Sequence, residues 1–269
     1  MSQSLQYTMP NAREGFPELL DMVMRSSPQR VDGHMTYEVQ GAQITLTDPL
    51  DSLPTEIGVK VDLGIAVDGL LALLAGRDDG TLHGGYGSRI RYQLTDVVHL
   101  ITTDPASRYA MTIAADPMYD RMLPEQSPST RPVIGHQFLY RDRALSLQVY
   151  MASCDVLGDL TTGMFQMAQL LATMHNVVQS PELGTLTFHI GSLYIHSGDT
   201  GIADYIRVPG VPIERSADMP TGIEGETWET VVGRARWLRG ILTSGQIDDA
   251  DRNRLTDSES WYLRTCVEL

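Results

Sequence analysis

A chain of 269 residues with 42% hydrophobic content and no run of about 18 consecutive apolar residues is expected to bury a large core without spanning a membrane. Its formal net charge of −14 argues against bulk nucleic acid and anionic membranes as partners, because such binders must neutralise phosphates with a basic surface. Lys60 is the only lysine, which excludes a P-loop with its lysine after the second glycine.

The start MSQSLQYTMPNAREGF has neither a basic n-region nor an apolar h-region. Cys154 and Cys266 form no CxxC pair and stand at no metal-ligand spacing, so free thiols in a reducing, cytoplasmic setting are expected. Phe16, Leu19, Leu20, Val23 and Met24 recur at helical spacing and predict a helix over 16–25. Residues 35–47 read as strands broken at Gly41, and 63–75 as a helix apolar nearly all round that stops at Gly76. A turn carries Gly84, Gly85 and Gly87 around Tyr86; a helix over 93–102 ends at Asp104-Pro105, and 109–115 reads as a buried strand. The polar stretch 119–131 reads as a surface loop.

The alternation in 136–151 predicts a hairpin joined through Arg141-Asp142-Arg143. Both its faces carry large residues, among them Phe138, Tyr140, Leu147, Val149 and Tyr150, so the sheet is expected to need cover on both sides. A long apolar helix over 161–178 follows, then a strand over 185–195 with Gly191 suggesting a bulge. Helical periodicity returns at 226–243 and 250–264, after a shift toward Gly, Pro and Asp beyond residue 197. His189 and His196, seven apart, would face opposite sides of a regular strand, which disfavours a metal pair unless Gly191 bulges it.

The blocks LLALLAGRDD (70–79), GGYGSRIR (84–91), DPASRYAM (104–111), HQFLYRDRALSLQVY (136–150), SCDVLGDL (153–160) and FHIGSLYIH (188–196) stand in the order and spacing of thymidylate synthases and pyrimidine hydroxymethylases. The resemblance covers roughly 35–196, and Gln137 through Asp155 aligns without a gap. It implies an α+β (two-layer α/β) thymidylate synthase-like fold, with a large mixed sheet covered by helices and its free face packed in a homodimer. Residues 1–196 would form that domain, and 197–269 a divergent, largely helical C-terminal extension packed on it. It further implies a pyrimidine nucleotide or nucleoside ligand and, as cofactor, 5,10-methylenetetrahydrofolate.

The family's nucleophilic cysteine lies in a Pro-Cys-His triplet, and the same register here gives Arg131-Pro132-Val133. The family's helix glutamate falls at Gly69 beside Asp68, its Arg-Ser pair at Ala152-Ser153, and its base-reading asparagine at Gly163. Four positions are carried over as substrate contacts: Arg108, Ser153, Tyr194 and His196. Arg108 would cross the dimer interface toward the partner's phosphate, and Tyr194-Ile195-His196 would hold the ribose in reversed order. Asp155 matches the pterin-contacting aspartate and is also a catalytic candidate; Cys154 beside it is a weaker candidate for a rescued nucleophile. Each has a plain alternative: a surface arginine after a turn, a cap before the 161–178 helix, a strand pair without ligand, and an inert small thiol. Two functions remain open: altered C5 or one-carbon chemistry in modified-base or nucleoside biosynthesis, and a catalytically inactive paralogue acting as a binding, regulatory or scaffold dimer.

With no cysteine at Pro132, deoxyuridylate and methylenetetrahydrofolate are expected to give no thymidylate. Turnover on the order of 1 per second in a cofactor-absorbance assay would refute this.

Overall fold

A computed structural model describes residues 4–31, 33–51, 63–77, 86–116, 118, 133–206 and 219–266. Strand β1 (Gln6–Met9), helix α1 (Ala12–Met24), β2 (Gln29–Val31) and β3 (His34–Leu46) open the chain. Then come α2 (Leu63–Ala75), α3 (Gly87–Thr103), β4 (Met111–Ile113) and the hairpin of β5 (Val133–Arg141) and β6 (Ala144–Asp155). A π turn, Val156–Leu160, leads into α4 (Thr161–Val178), which is followed by β7 (Glu182–His196) and α5 (Thr200–Ile206). Helices α6 (Trp228–Ser244), α7 (Asp249–Arg252) and α8 (Asp257–Cys266) complete the described chain. The protein is thus a mixed α/β structure around a seven-stranded sheet of order β1-β3-β7-β6-β5-β4, with β2 paired to β3.

Local chemistry explains the boundaries. Asn11 caps α1 by accepting from the Glu14 amide at 2.9 Å. Helix α2 ends where predicted because Gly76 adopts φ +72°, which lets Arg77 donate its amide to the Ala72 carbonyl. Helix α3 starts six residues earlier than the expected 93: Ile90, Leu94, Val97 and Ile101 form one buried stripe, whose first member is hidden in sequence between Arg89 and Arg91. Asp142 and Arg143, both at positive φ, make the two-residue hairpin turn. The expected strand at 109–115 shrinks to Met111–Ile113. The expected loop 119–131, Gly84, Gly85 and the Arg131-Pro132 pair lie outside the described residues.

The helices gather on the sheet face carrying Ala42, Ile44, Leu46, Leu147, Val149, Leu186 and Phe188. Helix α4 runs through the middle of this layer with most of its side chains buried, so each large apolar residue on it contributes about 1.5–3 kcal/mol of burial. The opposite face departs from the sequence expectation. Phe138, Tyr140, Leu147 and Val149 share the helix side, leaving only Tyr150 of the five on the other. What faces outward is a polar lattice: Tyr150 donates to Gln137 Oε1 at 2.9 Å, His189 Nε2 lies 2.7 Å from Gln148 Oε1, and the Thr45 and Thr187 hydroxyls lie 3.1 Å apart. Apolar exposure on this face concentrates at the β4 edge, in Tyr109, Met111, Ile113 and Ile134.

The sheet has one further irregularity. In β7 the core-facing residues are Leu186, Phe188 and Ile190, then Leu193 and Ile195; in β6 they are Leu147, Val149 and Met151, then Cys154. In β3 they are Leu46, Ile44 and Ala42, then Val39 and Tyr37. Each strand therefore places two consecutive residues outward, at Gly191-Ser192, Ala152-Ser153 and Gly41-Gln40. Register is unchanged across the row, with Gln40 opposite Ser192 and Ala42 opposite Ile190, and Ser153 beside Ser192. The three strands bulge together. Gly41 does not break β3; it supplies φ +69° to the row, and a Cβ on Gly191 would stand 2.7 Å from the Ala152 carbonyl oxygen. Genuine register shifts lie elsewhere, between Leu145 and Leu147 opposite Gly184, and between Val133 and Gly135 against β6.

The C-terminal region shares the same core. Gln169 of α4 donates to the Pro220 carbonyl at 2.8 Å and accepts from Tyr262 at 2.6 Å and from the Gly222 amide at 3.2 Å. Thr173 receives the Ile223 amide at 3.0 Å, and Gly222 passes at φ +85°. A Cβ there would sit 2.6 Å from the Thr173 nitrogen. Gly222→Ala combines a left-handed conformation with a backbone clash, and should destabilise the fold by about 2 kcal/mol or more. A urea midpoint within error of the parent would refute this docking.

Candidate functional site

Strands β6 and β7 are parallel neighbours joined through α4, and the carboxyl ends of such strands are where open sheets commonly bind ligands. Asp155 ends β6 directly beside Tyr194, and His196 ends β7 two residues on. The shared bulge row turns all three outward, away from the helix core. It also brings His189 to the same face as His196, the outcome that odd spacing alone disfavoured. The two histidines serve different ends: His189 stacks on Tyr150 with centroids 5.0 Å apart, whereas His196 meets Tyr194 at 5.1 Å and His34 at 5.5 Å. No group of three or more potential metal ligands occurs among the described residues.

The π turn sets the electrostatics. Asp155 accepts the Leu157 amide at 3.3 Å and so caps the turn before α4, as its plain alternative anticipated. The turn carries Asp159 back so that its carboxylate accepts the Asp155 amide at 3.4 Å. Burial raises the Asp159 pKa to about 6, outweighing that amide, and the Asp155 charge adds to the rise. Burial also raises Asp155, partly offset by the Leu157 amide and by His196, with Asp199 opposing. The Nδ1 atom of His196 is buried and lacks a hydrogen-bond partner. Ser192 donates to Glu38, which pairs with Tyr194 across the strands, extending the polar cluster along β3.

Other expected residues fall elsewhere. Cys154 points into the core, fully buried, and burial together with the Asp159 and Asp155 charges pushes its thiol well above the ordinary range. This is the reverse of what a thiolate nucleophile needs, and the geometry gives no support to a rescued nucleophile. Ser153 is half-buried in the bulge row beside Ser192. Arg108 is exposed just before β4, its carbonyl accepting Gln137 at 2.9 Å. Gln137 lies opposite Gln148, seven residues before Asp155, so Arg108 stands roughly 20 Å along the sheet from the cluster within one protomer. Asp68, beside Gly69 on α2, is held by Arg239 of α6 at 2.9 Å and is committed to that ion pair. Gly163 is buried in the first turn of α4, and Val133 is buried at the start of β5.

Sequence reasoning missed Asp159, His34 and Glu38. Asp159 follows Asp155 by four residues, a spacing that only the wider π turn converts into a contact with the Asp155 amide. His34 and Glu38 enter through antiparallel pairing with β7, where Thr36 stands opposite His196.

No family model matches the chain, and no curated protein matches it at a significant level. The half-buried Asp159 has a measurable consequence. Because folding raises the Asp159 pKa, the native state binds the extra proton between about pH 4 and 6, and stability falls as pH rises through that window. Asp159→Asn should remove that slope and raise the melting temperature at pH 7.5, with unchanged pH dependence between 4 and 6 as the contrary result.

Proposed function

We propose that this chain is a divergent thymidylate synthase-like protein that binds a pyrimidine nucleotide or nucleoside as a homodimer and does not carry the family's covalent chemistry. The observation that carries the reading is the meeting of Asp155, Tyr194 and His196 at the carboxyl ends of β6 and β7, with a buried imidazole nitrogen left unsatisfied. A sugar hydroxyl beside Tyr194 and His196 would satisfy that nitrogen, because a hydroxyl can donate to it or accept from it. Tyr109, Met111, Ile113 and Ile134 would supply the apolar part of the outward sheet face that a second copy covers, and Arg108, exposed beside them, would in that dimer reach toward the partner.

Methylenetetrahydrofolate enters this reading only as a possible co-ligand. Asp155 is the one residue carried over for it, and its carboxylate already caps the π turn. A second reading, altered C5 chemistry, is favoured by one specific feature: Asp159 has a pKa near 6, suited to exchanging protons near neutral pH.

Thermal shift with uridine, deoxyuridylate and deoxycytidylate should find at least one ligand that stabilises the protein, by about 2.7 kcal/mol at one hundred times its Kd. Tyr194→Phe and His196→Ala should each weaken that ligand tenfold or more. Light scattering should give twice the chain mass of 29.7 kDa. No shift with any pyrimidine at millimolar concentration sinks the binding reading, and product formed from a bound pyrimidine on adding methylenetetrahydrofolate would replace it with the enzymatic one.

A further inference from the structure

Between the C-terminal end of α2 and the second half of α6 lies a cavity of about 290 Å³, lined by Ala75, Arg77, Arg236, Arg239, Thr243 and Ser244. Its three arginines meet on a chain whose formal net charge is −14. Grouping like charges is unfavourable unless something offsets their repulsion. Asp68 offsets one, binding Arg239 through both carboxylate oxygens at 2.9 and 3.4 Å and fixing that guanidinium in place. Arg236 donates Nε to the Ala75 carbonyl at 3.3 Å, which anchors it while leaving most of its donors unspent. Arg77 is exposed and joins no ion pair among the described residues.

Two helix C-termini meet here, and their partial negative charge could by itself explain arginines drawn to them. Several of the acceptors involved are, however, already used. In α2 the Leu73 carbonyl accepts Gly76, Ala72 accepts Arg77, and Ala75 accepts Arg236. In α6 the Ile241 carbonyl accepts Gly245 and Ser244 Oγ, and the Arg239 carbonyl accepts Thr243. The cavity lining carries three guanidinium groups and no carboxylate side chain, and guanidinium forks are suited to oxyanions.

We propose that this cavity binds the phosphoryl group of a small phosphorylated molecule. Its volume exceeds what one phosphate fills and lies at the small end of ligand pockets, which fits a phosphate monoester or diphosphate with a compact body. The site shares no residue with the Asp155, Tyr194 and His196 cluster and does not rest on the nucleoside reading.

The test uses the full chain and three probes: inorganic phosphate, pyrophosphate and a pentose phosphate, each against chloride at matched ionic strength. Pyrophosphate or the pentose phosphate should raise the melting temperature beyond the chloride control, with an apparent affinity that falls as salt rises. Arg77→Gln combined with Arg236→Gln should weaken it at least tenfold. Thr243→Asp, which retains all three arginines but puts a negative charge in the cavity, should do the same. A pyrimidine response unchanged in these variants would separate the two sites. Stabilisation equal to chloride, full binding in both variants, or a response to inorganic phosphate alone would overturn the proposal.

Discussion

The shared bulge across β3, β7 and β6 is the constraint on which the arrangement of this molecule depends. A bulge in one strand would slip its register against both neighbours and turn its whole apolar set outward. Three bulges in one row avoid this, because every strand gains the same extra residue and the ladder closes again beyond it. The row needs residues that tolerate crowding: Gly41 supplies a left-handed conformation, and Gly191 admits the Ala152 carbonyl where a side chain would collide. Beyond the row the core-facing parity inverts, so Cys154, Leu193 and Ile195 point inward while Asp155, Tyr194 and His196 point out. With regular strands the cysteine would have faced outward and the polar trio would have faced the helices.

Polar groups inside the helix layer tie the C-terminal region to the rest. Gln169 and Thr173 sit on α4 among apolar neighbours, and each would be costly unpaired. They are satisfied by backbone of the 219–225 segment and by Tyr262, so the C-terminal region completes the core rather than decorating it. Glu259, fully buried, is held by Arg234 of α6, which fixes α8 against α6. Removing Arg234 would leave the fully buried Glu259 carboxylate without its counter-charge, a loss typically worth about 3–5 kcal/mol, whereas Arg234, being partly exposed, would lose less without Glu259. The same α6 presents Arg236 and Arg239 toward α2, linking the region that departs from the family resemblance to the helix that carries part of it.

Charge is distributed with some economy. Around the ends of β6 and β7, Asp155, Asp159, Asp199 and Glu38 gather acidic groups, and burial raises the pKa of Asp155 and Asp159. The positive charge that the chain does carry is almost all arginine, and on α6 carboxylates or a helix carbonyl fix the geometry of Arg234, Arg236 and Arg239.

The sequence by itself determined the elements whose signal is local. Helix α2 stops at Gly76 and α4 spans its predicted range, because apolar periodicity and a C-terminal glycine act within a few residues. The hairpin turn and the order of the later helices were legible for the same reason, as was the absence of a cysteine ahead of β5. Tertiary structure alone decided which way side chains face. Whether Gly191 bulges its strand depends on what Gly41 and Ala152 do in neighbours far away in sequence, so the common face of His189 and His196 and the inward turn of Cys154 could not be read from one strand. Likewise Asp68 and Arg239, 171 residues apart, become partners only when α6 packs on α2, and Asp159 becomes a half-buried acid only because a π turn folds it back over Asp155. Periodicity fixes an element; orientation and ionisation are set by neighbours that the chain brings together only on folding.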